Sequence, residues 1–142
     1  MNKKRAPAQD VMWSLLQAAA AVEGHLEQAL AEVGLSGAKL AALTQLVEAD
    51  EPVTLSELAA QCACVRSNIT QLVDRLESEK LARRVDDAND RRSRRAQITP
   101  LGRERQAAGA RRIERVRRQL NGALKDLDGG ALQRVLDSIS KQ

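Results

Sequence analysis

Between positions 66 and 75 the chain reads Arg66-Ser67-Asn68-Ile69-Thr70-Gln71-Leu72-Val73-Asp74-Arg75, and its polar members are the types that recognise base edges. A carboxamide donates and accepts at once, so Asn68 and Gln71 each match the N6/N7 edge of adenine, while the Arg66 fork matches O6/N7 of guanine. Ser67 and Thr70 suit phosphates or bases, and Arg75 adds a cation to the same stretch. Ile69, Leu72, Val73 and Leu76 recur at helical spacing, which places most of these polar groups on the opposite side of one helix. A solvated amphipathic helix would show the same pattern, so its neighbours must decide.

Downstream the chain becomes rich in arginine. Residues 1–82 carry 7 Lys or Arg against 11 Asp or Glu, and residues 83–142 carry 16 against 8, giving net charges of −4 and +8. Arg supplies nearly all of the basic excess, and its planar fork suits phosphates and guanine edges. A polyanion is the expected partner, the alternative being solvated helices that simply carry Arg. Arg84, Arg91 and Arg94 are candidates for phosphate contact, with Asp90 and Arg92 in the same stretch.

Other reactive residues are few. Cys62 and Cys64 raise redox chemistry or a metal, yet cysteines two apart bridge poorly and zinc wants four ligands where the chain adds only the distant His25. The residues present no convergent catalytic set and no Gly-rich phosphate loop after a strand, so neither an enzyme nor a cofactor is expected, and no metal site. Aromatic residues that stack single-stranded RNA are nearly absent, Trp13 being the one Trp beside no Phe and no Tyr. No apolar run is long enough to span a bilayer, and Met1 to Arg5 leads into no signal-peptide core, so a cytoplasmic protein without a membrane partner is expected.

The elements that must position these residues follow from spacing. A length of 142 residues suits one domain-sized core. Val11, Met12, Leu15, Leu16, Ala19, Val22, Leu26 and Leu30 predict a long first helix between Asp10 and Val33, stopped by Gly34. Ser36 caps a second helix with Leu40, Leu43, Leu46 and Val47 on its buried face, and Asp50-Glu51-Pro52 turns the chain. Thr54-Leu55-Ser56-Glu57 has capping-box spacing and starts a short third helix to about Cys62. After a turn near Ala63 comes the helix already described. From Leu81 the period shifts to two, predicting a two-stranded hairpin whose connection, Asp87 to Ser93, projects as a long polar loop. Thr99-Pro100 starts a long helix to about Lys125, Gly129 and Gly130 break it, and Leu132, Val135, Leu136 and Ile139 mark the last helix.

Helix, short helix, turn, helix and hairpin between residues 36 and 99 make a winged helix-turn-helix. Leu55-Ser56-Glu57-Leu58-Ala59, Asn68 through Glu77, the wing stretch Asp86 through Arg92, and Ile98-Thr99-Pro100-Leu101-Gly102-Arg103 together resemble the multiple antibiotic resistance regulator (MarR) family. The most specific features are the wing's Asp-x-Arg and the Thr-Pro-x-Gly helix start. Ala63, where that family often has Gly, and Val65, where a capping Ser or Thr is usual, depart from its pattern.

The resemblance implies a mainly α fold with a small β-hairpin: an N-terminal dimerisation helix over residues 1–35, the DNA-binding winged helix-turn-helix over 36–99, and C-terminal dimerisation helices over 100–142. It implies a homodimer on double-stranded DNA, with Arg92 in the minor groove and Asp90 holding its guanidinium. Repression is the family's default, with release by a small-molecule effector in a cleft that Trp13 and His25 could border, although Trp13 equally suits packing. The apolar stripes of both terminal segments independently exceed what a domain of 60-odd residues covers alone. In the resemblance Cys62 and Cys64 fall at apolar positions, so two small buried hydrophobes are preferred over a thiol-based redox-sensing repressor. A regulator antagonist acting through protein contacts, without DNA, is the remaining alternative. Arg111, Arg112, Arg115, Arg117 and Arg118 are expected to pair with Glu residues of the first helix in preference to phosphates.

Overall fold

The computed structural model describes the backbone of residues 9–63, 66–87 and 90–142, and the side chains of residues 10–63, 68–86 and 94–142. Nine elements follow in order: α1 (Gln9–Ala31), α2 (Gly37–Ala49), β1 (Val53–Thr54), α3 (Leu55–Gln61), α4 (Arg66–Ser78), β2 (Ala82–Asp87), β3 (Asp90–Ile98), α5 (Pro100–Leu124) and α6 (Gly129–Ser140).

Local chemistry sets most of the boundaries. After α1, Gly34 takes a left-handed φ of +70°, its N–H reaches the Ala31 carbonyl and the Leu35 N–H reaches that of Leu30, which closes the last turn. Ser36 then accepts the Lys39 amide, Thr54 that of Glu57, and Thr99 that of Gly102, each cap satisfying a donor that the helix start leaves open. The Thr54 cap is one half of the expected box. α4 ends as α1 does, the Leu81 N–H bonding the Leu76 carbonyl and the Lys80 N–H that of Glu77, with Lys80 at the left-handed position, φ +63°.

The structure departs from the sequence reading at three places. The sheet has three antiparallel strands in the order β1-β3-β2, because Val53 and Thr54 pair with Ala96 and Arg95 just before α3 begins. Two residues are too short a run to show alternation. The expected Asp87–Ser93 loop is mostly strand: β3 starts at Asp90, and Asp87 pairs with Asp90. Between the pairs Asp86–Arg94 and Asp87–Asp90 the register slips, leaving Arg91, Arg92 and Ser93 as extra residues in β3. Gly129 and Gly130 open α6 instead of breaking α5; the helix ends at Leu124, and Asp128 caps the next by accepting the Ala131 amide.

One core joins α2, α3, α4 and the sheet. Leu43, Leu46, Leu58, Ile69, Val73, Leu76 and Leu81 are fully buried in it, and Leu30 closes it from the end of α1. Each such side chain contributes about 1.5–3 kcal/mol relative to exposure. α5 crosses against α1 and α2, and its close approach depends on Gly109, where a Cβ would lie 2.7 Å from Leu35 Cδ1 and 2.9 Å from Leu40 Cδ1. The outer ends of the chain are different. Val11, Met12, Trp13, Leu15 and Leu16 on α1 are exposed, and so are Leu132, Val135, Leu136 and Ile139 on α6, a helix with no buried residue.

Candidate nucleic-acid interface

α4 is anchored on its apolar side by Ile69, Val73 and Leu76, all fully buried. Asn68, Thr70, Gln71 and Arg75 are exposed on its remaining surface. Asn68, Gln71 and Arg75 are spaced i, i+3, i+7 and form one row, so two carboxamides and a guanidinium point the same way. Arg66 and Ser67 lie in the first turn of the same helix, and their side chains lie outside the described residues.

Further contacts hold α4 in place. Lys39 Nζ, from α2, meets Glu79 Oε1 at 2.8 Å just past its C-terminus. Arg84, from β2, meets Asp74 Oδ1 at 2.6 Å and Glu77 Oε1 at 3.1 Å. Arg84 thus has a different occupation from the phosphate contact expected of it: its guanidinium is closed on two carboxylates of the neighbouring helix. No sequence periodicity pointed to these acids as its partners, although Thr70, Asp74 and Glu77 do share a helical row.

The β2–β3 hairpin packs beside α4 and carries several arginines. Arg83 donates from Nε and Nη2 to Gln97 Oε1 at 3.1 and 2.8 Å across the strands. Arg95 reaches the Pro52 carbonyl at 3.4 Å and is half-buried. Arg94 is exposed and makes no ion pair with another described residue. Asp90, Arg91 and Arg92 are strand residues at the distal end of the hairpin, and their side chains lie outside the described residues. The geometry therefore brings a polar helix face and an Arg-bearing hairpin together in one unit, a combination suited to one groove and the adjacent backbone of a duplex.

The remaining candidates are spread out. Cys62 is half-buried and packs against the core, as a small hydrophobe would, and Cys64 lies outside the described residues. Among the described residues no group of His, Cys, Asp and Glu is placed to hold a metal ion. His25 borders a hollow of about 430 Å³ between α1 and α5, with Glu32, Arg112 and Arg115. Trp13 lies twelve residues earlier on α1, about 18 Å away along the axis, and does not share that hollow. A second hollow of about 580 Å³ opens between α1, α2 and α5, with Leu26, Leu30, Leu40 and Ile113 as its apolar wall and Glu23, Glu27, Thr44 and Gln45 as polar lining. Neither Trp13 nor His25 belongs to it. Its lining comes from three helices distant in sequence, so no local pattern could have announced it.

Of the α5 arginines, Arg112 pairs with Glu32 directly after α1, and Arg117 pairs with Glu114 within its own helix. Arg111, Arg115 and Arg118 line a shallow hollow formed by α5 alone, Arg115 also bordering the one between α1 and α5. No helix among the described residues is long and apolar enough to cross a membrane.

Comparison with known proteins agrees with this architecture. Residues 33–93 match the family model described as the MarR family. No curated protein sequence matches the chain. Among solved structures it is similar to Sco3205, a MarR family transcriptional regulator from Streptomyces coelicolor in complex with DNA, at 26% identity and a TM-score of 0.77, covering 99% of this chain and 88% of that one. It is similar in fold to CouR, a transcriptional repressor bound to a 23-mer DNA duplex, at 24% identity and a TM-score of 0.76, covering 99% of each chain. CouR from Rhodococcus jostii RHA1 bound to p-coumaroyl-CoA gives a TM-score of 0.74 at 24% identity, covering 96% of this chain and 93% of that one.

Proposed function

We propose that the chain is a sequence-specific transcription regulator of the MarR family, whose model matches residues 33–93, and a repressor that binds a pseudo-palindromic operator as a homodimer. It is a binding protein, without catalysis of its own. The observation that carries the reading is the row Asn68, Gln71 and Arg75, exposed on a helix whose opposite face is locked into the core, beside a hairpin that holds Arg94 in solvent. Asn68 and Gln71 read base edges in the major groove, with Arg66, Ser67 and Thr70 completing that surface. Arg94 and Arg91 meet phosphates, and Arg92, held by Asp90, enters the minor groove, where a narrow groove concentrates negative potential.

The homodimer rests on the exposed apolar residues at the two ends of the chain. Val11, Met12, Trp13, Leu15 and Leu16 of α1 and Leu132, Val135, Leu136 and Ile139 of α6 are left exposed by the described residues of one chain. Residues 1–35 and 100–142 supply the pairing surface, and residues 36–99 the reader. A small-molecule effector fits the hollow between α1, α2 and α5, where binding would alter how the pairing helices meet the reader; CouR, similar in fold, is known with p-coumaroyl-CoA bound.

The test is selection of duplexes from a random pool by the purified protein, followed by titration of the enriched duplex against scrambled DNA over a range of salt, with the mass measured in parallel. The expected result is an enriched inverted repeat, nanomolar preference that falls steeply with salt, and a dimer mass. Equal binding to both duplexes, or none at low salt, overturns the reading.

A further inference from the structure

Arg84 leaves β2 and lies along one face of α4. Its Nη2 forms an ion pair with Asp74 Oδ1 at 2.6 Å and donates to the Thr70 carbonyl at 3.3 Å, and its Nη1 donates to Glu77 Oε1 at 3.1 Å. The backbone N–H of Arg84 donates to the second oxygen of Glu77 at 2.9 Å, so one residue of the hairpin holds both oxygens of that carboxylate. The Arg84 side chain is only 14% exposed.

Thr70, Asp74 and Glu77 are spaced i, i+4, i+7 and form one row along α4. On one side of that row lie the buried Ile69, Val73 and Leu76; on the other lies the exposed row of Asn68, Gln71 and Arg75. The helix is thus gripped on two faces and presents the third. Rotation matters at this radius: a side chain about 6 Å from the helix axis moves by about 2 Å when the helix turns by about 20°. That displacement exceeds what a bidentate hydrogen bond to a base edge tolerates. Attraction between an arginine and a phosphate depends far less on direction and survives such a shift.

We propose that Arg84 is a specificity-determining positioning residue: through Asp74, Glu77 and the Thr70 carbonyl it fixes the rotation of α4 against the hairpin, so that Asn68 and Gln71 meet bases in a single register. The proposal rests on the DNA-reading function above. It gives Asp74 and Glu77, two anions beside a surface that receives a polyanion, a role in discrimination.

The experiment compares wild type with Arg84→Gln, Arg84→Lys and Asp74→Asn on the selected duplex and on scrambled DNA, across salt. Discrimination between the two duplexes is expected to fall about tenfold in all three variants, the size of one lost bidentate base contact. The salt slope on scrambled DNA is expected to stay within about half a unit of wild type. Arg84→Lys keeps the charge but lacks the fork that spans both carboxylates, so charge alone does not rescue discrimination. A slope lowered by about one unit in Arg84→Gln with discrimination intact identifies a phosphate contact and overturns the proposal. Tighter binding by Asp74→Asn with full discrimination overturns it as well, because Asp74 then acts only by repulsion. Amide hydrogen exchange of the free protein decides the clamp separately from DNA: Arg84→Gln should speed exchange in α4 and β2 together while α5 keeps its protection. Unchanged exchange there refutes the clamp even if wild type selects no duplex, an outcome that by itself would refute the DNA reading.

Discussion

The carbonyl oxygen of Leu81 lies where a Cβ on Gly102 would stand, 2.0 Å away, and it accepts the Thr99 amide at 3.2 Å. The first turn of α5 is therefore pressed onto the chain between α4 and β2, and Thr99 Oγ1 adds a bond to the Lys80 carbonyl at 2.7 Å. Only glycine permits that approach. Gly102→Ala is expected to lower stability by about 1–3 kcal/mol, although alanine favours a helix by up to about 1 kcal/mol. A urea midpoint equal to or above wild type would show that the contact yields at no cost.

Three non-glycine residues among those described take a left-handed φ, Asp50 at the end of α2 and two others. Ala63 has φ +52° in the turn after α3, and Lys80 has φ +63° at the end of α4. A left-handed L-residue is strained by about 1–2 kcal/mol, partly offset because glycine loses more freedom on folding. Ala63→Gly and Lys80→Gly are each expected to raise stability by about 0.5–1 kcal/mol. Thermal melts that move downward for both would contradict this reading of the turns.

How much of this was legible beforehand varies with the range of the interaction. The helices were readable because their signals are local: Ser36, Thr54 and Thr99 cap the elements their positions announce, and Gly34 ends the first helix. The buried row Ile69, Val73 and Leu76 and the exposed Asn68 and Gln71 follow from spacing alone. What escaped depends on pairing between distant segments. Val53 and Thr54 become a strand only because Ala96 and Arg95 lie beside them, and the start of β3 at Asp90 depends on a register slip that no alternation reveals. Arg84 read as a phosphate contact because Asp74 and Glu77 reach it only after β2 folds back over α4.

Reading and anchoring should separate cleanly in binding data. Gln71→Ala is expected to relax preference at one or two operator positions, at about 1–3 kcal/mol for the affected base pair, and to leave the salt slope unchanged. Arg94→Ala is expected to weaken binding to all duplexes alike and to lower the slope by about one unit. A panel of single-base operator variants distinguishes them. Full discrimination by Gln71→Ala would remove that residue from the reading surface, and an unchanged slope for Arg94→Ala would remove the phosphate contact.

Pairing should fail without unfolding. Leu136 is 55% exposed on α6, so Leu136→Glu disturbs no packing within one chain. Sedimentation is expected to show a shift from dimer toward monomer, while the helical content of residues 36–99 persists. A variant that remains dimeric at micromolar concentration would place the pairing surface elsewhere.

The absence of any buried residue in α6 bears on how such a molecule diverges. Mutations along that helix are not filtered by folding of the reader, and mutations on the exposed row of α4 are not filtered by association. Partner choice and operator choice can therefore drift on separate clocks, and a duplicated copy could stop pairing with its parent well before it learned a new DNA sequence.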